Sequence, residues 1–152
     1  MDQRDIQIIQ ALQDNARLTN QDLAERVNLS PSPCLRRMRN LEDTGIIKGY
    51  TATVDRKAFG FALTVFIHIK LSHHTEDIIT NFEHHIRASA RVLDCFLMTG
   101  RWDYMLRVVA LDLEDYERFV RSKLQPISSI GSIESNIIYG TIKSQTVLPS
   151  PV

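Results

Sequence analysis

The residues with the most evident chemistry lie between Ser30 and Lys48. Arg36, Arg37 and Arg39 carry guanidinium groups, planar forks of N–H donors that match guanine O6 and N7 or a phosphate. Asn40 brings an amide that can pair with adenine N6 and N7. Ser30 and Ser32 offer hydroxyls where backbone N–H groups at a helix start attract anions. Pro33 lies in the same first turn, and Lys48 is placed to meet a flanking phosphate. From Val27 to Leu41 there are three arginines and no acid. Taken alone, such a run is more often a solvated helix face than a binding site. Its meaning depends on the elements that hold it.

Those elements read as three short helices. Ile6, Ile8, Ile9 and Leu12 share a stripe on a helix over residues 4–14. Thr19-x-x-Asp22 is a capping box for a second helix whose inner face is Leu23, Ala24 and Val27. Asn28-Leu29 make a tight turn. Ser30-Pro31 then starts a third helix, with serine at the N-cap and proline where its missing N–H costs nothing. Pro33 is tolerated in that first turn for the same reason. The third helix runs to about Thr44, and Gly45 stops it. At about 100° per residue, Cys34, Leu35, Met38 and Leu41 span one arc of roughly 120° and face the core. Ser32, Arg36, Arg39 and Asn40 face the other way, with Arg37 at the edge. A capped helix packed on two others, offering donors outward, implies a helix-turn-helix able to enter a major groove of double-stranded DNA.

Bulk properties neither favour nor oppose this. The 152 residues are 43% hydrophobic and 24% charged, with net charge zero. Residues 1–57 carry nine basic and eight acidic side chains, the remainder nine and ten. No apolar run reaches the ~20 residues of a membrane helix, and Met-Asp-Gln-Arg-Asp at the N-terminus has no signal-peptide core. A cytoplasmic location and no membrane partner are therefore expected. Cys34 and Cys95 read as buried thiols rather than a disulfide.

After Gly45 the period changes. Residues 46–54 read as a strand leading out of the helical unit, and Asp55–Gly60 as a hinge. Leu63, Val65, Ile67, Ile69 and Leu71 alternate with Thr64, Phe66, His68 and Lys70, as in a half-buried strand. Thr75-Glu76-Asp77 caps a helix with Ile78, Ile79, Phe82 and Ile86 inward. Residues 92–99 and 104–110 form a hairpin about the turn Gly100-Arg101-Trp102-Asp103. Asp112-x-x-Asp115 opens a helix with Leu113, Tyr116, Phe119, Val120 and Leu124 as its apolar stripe, ended by Pro126. Residues 132–142 are a last strand, followed by a loosely held tail. The order β-α-β-β-α-β packs two helices on one face of a four-stranded antiparallel sheet. Its other face holds either the 63/65/67 set or the 64/66/68 set, and Phe66 makes even the second partly apolar, so the uncovered face predicts a dimer.

The run Leu18-Thr19-Asn20, Asp22 to Val27, and Leu29 to Arg37, followed by Leu41-Glu42, Gly45-Ile46-Ile47 and Gly49-Tyr50-Thr51-Ala52, resembles the leucine-responsive/asparagine-responsive (Lrp/AsnC) family. Gly100 with Asp103-Tyr104 continues the match. The resemblance implies an α+β chain. A three-helix (winged) helix-turn-helix over 1–50 leads through a linker strand and hinge, 51–61, to a βαββαβ ferredoxin-like amino-acid-sensing and oligomerisation domain, 62–142, with a tail, 143–152. It implies a transcription regulator without enzyme activity or a resident cofactor. It further implies dimers, possibly octamers, and a small effector, commonly an amino acid, that alters assembly and DNA affinity.

Carried over by position, the effector site involves Thr99, Gly100, Asp103 and Tyr104, with Ser135 a weaker match. A zwitterion needs an anion near its ammonium and N–H groups near its carboxylate, which a glycine turn beside Asp103 can supply. Without the family match the turn and Tyr104 read as plain hairpin and packing. Three alternatives are kept, one of them a pure interaction module, which predicts no salt-dependent DNA binding. A metal-responsive regulator would draw on His68, His73, His74, His84 and His85, but His84 and His85 point about 100° apart on a helix. Proteins resembling this family include tetrapyrrole decarboxylases, which have less use for a basic recognition helix. No phosphate loop, nucleophile elbow or close carboxylate pair is present.

Overall fold

The computed structural model describes residues 1–145 and 147–150. Two compact units emerge: Met1–Thr53 with the described residues from Ile142 onward, and Val54–Thr141. Among the described residues, no helix is long and apolar enough to cross a membrane.

Local capping starts the helices of the first unit. Asp2 accepts the N–H groups of Arg4 and Asp5, and the Asp5 carboxylate accepts that of Asp2, opening α1 (Gln3–Asp14). Thr19 and Asp22 close the expected box on α2 (Asn20–Arg26). Asn28 takes the left-handed conformation (φ 53°) that an asparagine tolerates in a tight turn. Ser30 is the N-cap of α3 (Pro31–Asp43), but its hydroxyl makes no capping bond. Instead the Asn20 amide donates to the Pro31 carbonyl at 3.0 Å, fastening α2 to the head of α3. Gly45, at φ 70°, follows the end of α3 where a Cβ would be strained. Ile8, Leu23, Ala24, Cys34 and Leu41 are buried together among the three helices. Leu35 departs from its expected core position and is only half-buried. It sits at the limit of the apolar arc.

The strand expected over 46–54 does not form. A β-branched run is a strand only when a neighbour completes its ladder, and these residues have none among the described residues. Residues 55–60, the expected hinge, fold as a turn, with the Asp55 side chain accepting the N–H groups of Lys57 and Ala58.

The second unit is a sheet of β1 (Leu63–Leu71), β2 (Val92–Leu97), β3 (Tyr104–Ala110) and β4 (Ile130–Ile137), ordered β2-β3-β1-β4. All pairings are antiparallel, and β1 and β3 are central. Helices α4 (Glu76–Arg87) and α5 (Leu113–Phe119) supply Phe82, Ile86, Tyr116 and Phe119 to the core beside Val65, Ile67 and Leu106. Each such side chain contributes about 1.5–3 kcal/mol by burial. Thr75 starts α4 without a side-chain capping bond.

Other departures have local causes. The last strand ends at Ile137 rather than 142; its ladder to β1 closes where the Ile138 N–H donates to the Thr64 carbonyl, one residue from the start of β1. Leu113, expected to face inward, is 61% exposed in the first turn of α5. After Phe119 the helix passes into a π-helical turn, Val120–Leu124. Cys34 is buried, but Cys95 lies exposed on edge strand β2, and both thiols are free. The tail expected to be loose falls partly on Thr146, Pro151 and Val152, which lie outside the described residues.

Candidate nucleic-acid interface and effector turn

On α3 the outward arc is as spaced in the sequence. Ser32, Arg36, Arg39 and Asn40 are exposed, and with Leu35 and Asp43 they line a groove of about 420 Å³. No ion pair engages Arg36 or Arg39 among the described residues, so both forks remain available for acceptors. Asp43 is an acid at the C-terminal end of this groove, two residues past the stretch that is free of acids. Ser30 is exposed at the head of the helix, and its hydroxyl is not spent on the cap. Pro33 is half-buried in the first turn, and Lys48 is exposed beyond α3.

Arg37 has a different situation. Its Nη1 donates to Asp5 at 2.8 Å and lies 2.8 Å from the Asp2 carboxylate. The two carboxylates that cap α1 therefore also grip α3. Hydrogen bonds from Arg37 to Asp5 and Asp2 raise its pKa further, while bonds to the Asp5 and Arg4 N–H groups and to Arg37 lower that of Asp2. The edge position of Arg37 on the helical wheel is where a brace to a neighbouring helix belongs.

The residues carried over as effector contacts do not form one cluster. Thr99 and Gly100 are exposed in the β2–β3 turn, where Gly100 adopts φ 107°, a conformation open to glycine. Asp103 faces inward, with its side chain 14% exposed. It accepts from Lys70 Nζ and the Leu71 N–H, both at 2.8 Å, and lies 3.0 Å from His74 Nε2. Burial opposes the charged carboxylate, but these partners outweigh it and hold the pKa at about 2. Asp103 thus ties the turn to the end of β1. Tyr104 is buried, and its hydroxyl donates to Glu83 at 3.1 Å. Burial foremost, with Glu83 beside it, pushes the phenol up to about 12.

Ser135 is elsewhere. It pairs with Ile67 on β4, the edge strand opposite β2, and its hydroxyl lies 2.5 Å from that of Tyr116. The turn's own partners, Lys70 and His74, carry no local signal in the sequence. The same holds for the ring contacts of Trp102, with Arg101 5.1 Å above its centroid and His68 at 5.9 Å between centroids.

Comparison with known proteins bears on both units. A family model described as a winged helix-turn-helix DNA-binding unit matches residues 1–48, and one described as the Lrp/AsnC ligand binding domain matches 64–148. The Bkd operon transcriptional regulator of Pseudomonas aeruginosa is 38% identical over 149 residues, covering 98% of this chain and 97% of the relative. Transcriptional regulator AzlB of Bacillus subtilis is 36% identical, covering 98% and 95%. Among solved structures, a transcriptional regulator of Neisseria meningitidis in complex with L-Met superposes with TM-score 0.93 at 38% identity, covering 98% of this chain and 96% of that one. The structure of Escherichia coli AsnC gives TM-score 0.89 at 26% identity, covering 98% and 99%.

Proposed function

Because the chain belongs to the Lrp/AsnC family of transcription regulators, a DNA-binding helix-turn-helix joined to a small-molecule ligand-binding domain, we propose that residues 1–50 read an operator through α3 and that 62–142 sense an amino acid. The observation that carries this is the outward groove of α3, where Arg36, Arg39 and Asn40 stand exposed beside Ser32. Arg36 and Asn40, one turn apart, read neighbouring base edges, and Arg39 joins them or takes a phosphate. Ser30, Ser32 and the N–H groups at the head of α3 meet one phosphate, with Pro33 packed against the backbone, and Lys48 meets another. Arg37 acts indirectly, by fixing the angle of α3 on α1. The relatives are regulators rather than enzymes.

For the effector, an amino acid is favoured by the L-Met bound to the N. meningitidis relative. Thr99 and Gly100 offer exposed turn backbone to its carboxylate. Asp103 supports that turn from inside through Lys70 and Leu71. Tyr104 and Ser135 position the sheet beneath. The sheet face opposite the helices carries Phe66, His68, Met105 and the 47%-exposed Phe96. Packing two such faces gives a homodimer, and dimers can build an octamer. A dimer sets two recognition helices one DNA turn or a multiple apart.

Fluorescence titration of the protein on DNA from its own upstream region, against a scrambled duplex and at several salt concentrations, tests the reading. Preference for the upstream DNA, with affinity falling steeply with salt, is expected. Equal affinity for both duplexes at every salt concentration overturns it. A thermal-shift screen with the twenty amino acids tests the effector class, and sedimentation tests the dimer.

A further inference from the structure

The C-terminal end of α4, the loop after it and α5 with its π-helical turn enclose a groove of about 640 Å³. No residue assigned above to DNA or effector lines it. The volume lies within the range of small-molecule sites. Ile86, Ala90, Phe119 and Leu124 give it an apolar floor. Arg91, Arg118 and Lys123 give it a basic rim, with His84 and His85 beside them.

Asp115 is the lining's acid among the described residues, and it is only 5% exposed. Its charge is already matched. Arg91 donates to one oxygen, the Leu111 N–H reaches the same oxygen at 3.0 Å, and Arg118 lies 3.4 Å from the other. The bond from Arg91 foremost holds this carboxyl at about 2, so it stays ionised. Two arginines and a lysine thus face one carboxylate, a formal surplus of two positive charges. Glu114 takes one Arg118 nitrogen at 3.2 Å, but it is 84% exposed and outside the lining. Lys123 has no ion pair among the described residues.

The backbone adds a second indication. Gln125 N–H donates to the Val120 carbonyl at 2.9 Å, an i to i+5 bond, and the widened turn contributes Ser122, Lys123 and Leu124 to the lining. Such widened turns are frequent at functional sites.

We propose that this groove binds a small amphiphilic anion, its apolar body on Ile86, Phe119 and Leu124 and its carboxylate, sulfonate or phosphate head between Arg91, Arg118 and Lys123. Charge-assisted bonds at the rim supply specificity for the head, and the floor supplies specificity for the body. A bare anion lacks the second, and a neutral amphiphile lacks the first.

The test uses the full chain and anilinonaphthalene sulfonate, an apolar sulfonate whose fluorescence reports binding. Octanoate and octyl phosphate are expected to displace it, and octanol and inorganic phosphate to do so roughly tenfold less well or worse. Arg118→Ala with Lys123→Ala should weaken the probe roughly tenfold or more with unchanged thermal melting, since both side chains are exposed. Phe96→Lys, on the opposite sheet face, should leave this binding intact. Equal displacement by octanol or by inorganic phosphate overturns the proposal, as does undiminished binding in the double variant. Loss of probe binding accompanied by a change in sedimenting mass also overturns it, because the groove is then a contact between copies of the chain.

Discussion

Replacing Asp103 by asparagine separates a structural anchor from a ligand contact. The carboxylate sits against Lys70 and Leu71 at 2.8 Å and His74 at 3.0 Å. Asparagine keeps the shape but removes the charge and turns one acceptor into a donor facing a cation. A carboxyl lowered from 3.8 to about 2 corresponds to about 2.5 kcal/mol of folding free energy. Solvent screening through the 14% exposure, and through the more open Lys70 and His74, brings the expected loss to about 1–2 kcal/mol. That is a fall of about 3–8 °C in the melting of the effector-free protein. The sign of the pH dependence follows from the lowered pKa. The contribution is fully present above the unfolded value of 3.8 and is lost as pH falls through about 2. Wild type and Asp103→Asn should therefore differ clearly at about pH 5 and converge as pH falls toward 2. Urea titrations at several pH values, without amino acids, measure this. Equal stability of the two proteins at every pH would refute the anchoring role. If effector response vanished in that same variant, Asp103 would be a ligand contact instead.

Asp115→Asn should cost about 2–3 kcal/mol with the same pH window, because the carboxyl is buried, lies at about 2 and serves Arg91 and Leu111; denaturation measures it. Arg36→Ala or Asn40→Ala should erase about 1–3 kcal/mol of discrimination between the operator and single-base variants in competition titrations. Lys48→Ala should weaken all duplexes alike and reduce the salt slope by about one. Arg37→Ala and Asp5→Asn should each lower the melting of the helical unit, and the double variant should add little to either alone.

The first unit was legible because its signals are local. Thr19 with Asp22, Ser30 with Pro31 and Gly45 mark helix ends within a few residues of each other, and the 3.6-residue period separates Cys34 and Leu41 from Arg36 and Asn40. The order of the second unit was legible through alternation in β1. Legibility failed where a partner decides the outcome. Residues 46–54 have strand-like composition but no neighbouring backbone, and Leu113 fits the stripe of α5 yet precedes the part that meets the sheet. The π-helical turn at Val120 also has no periodic signature, since one extra residue per turn looks like scatter.

By itself, then, the amino-acid sequence determined the helix-turn-helix, the outward face of α3 and the split βαβ order, because capping and periodicity act over neighbouring residues. Tertiary structure alone decided how the charges are spent. Arg37 meets Asp5 across 32 residues, and Lys70 meets Asp103 across 33. One arginine of the basic helix became a brace, and the acid of the β2–β3 turn became an anchor. Ion pairs between distant elements depend on distances of a few ångströms that only packing sets, and no local pattern carries them.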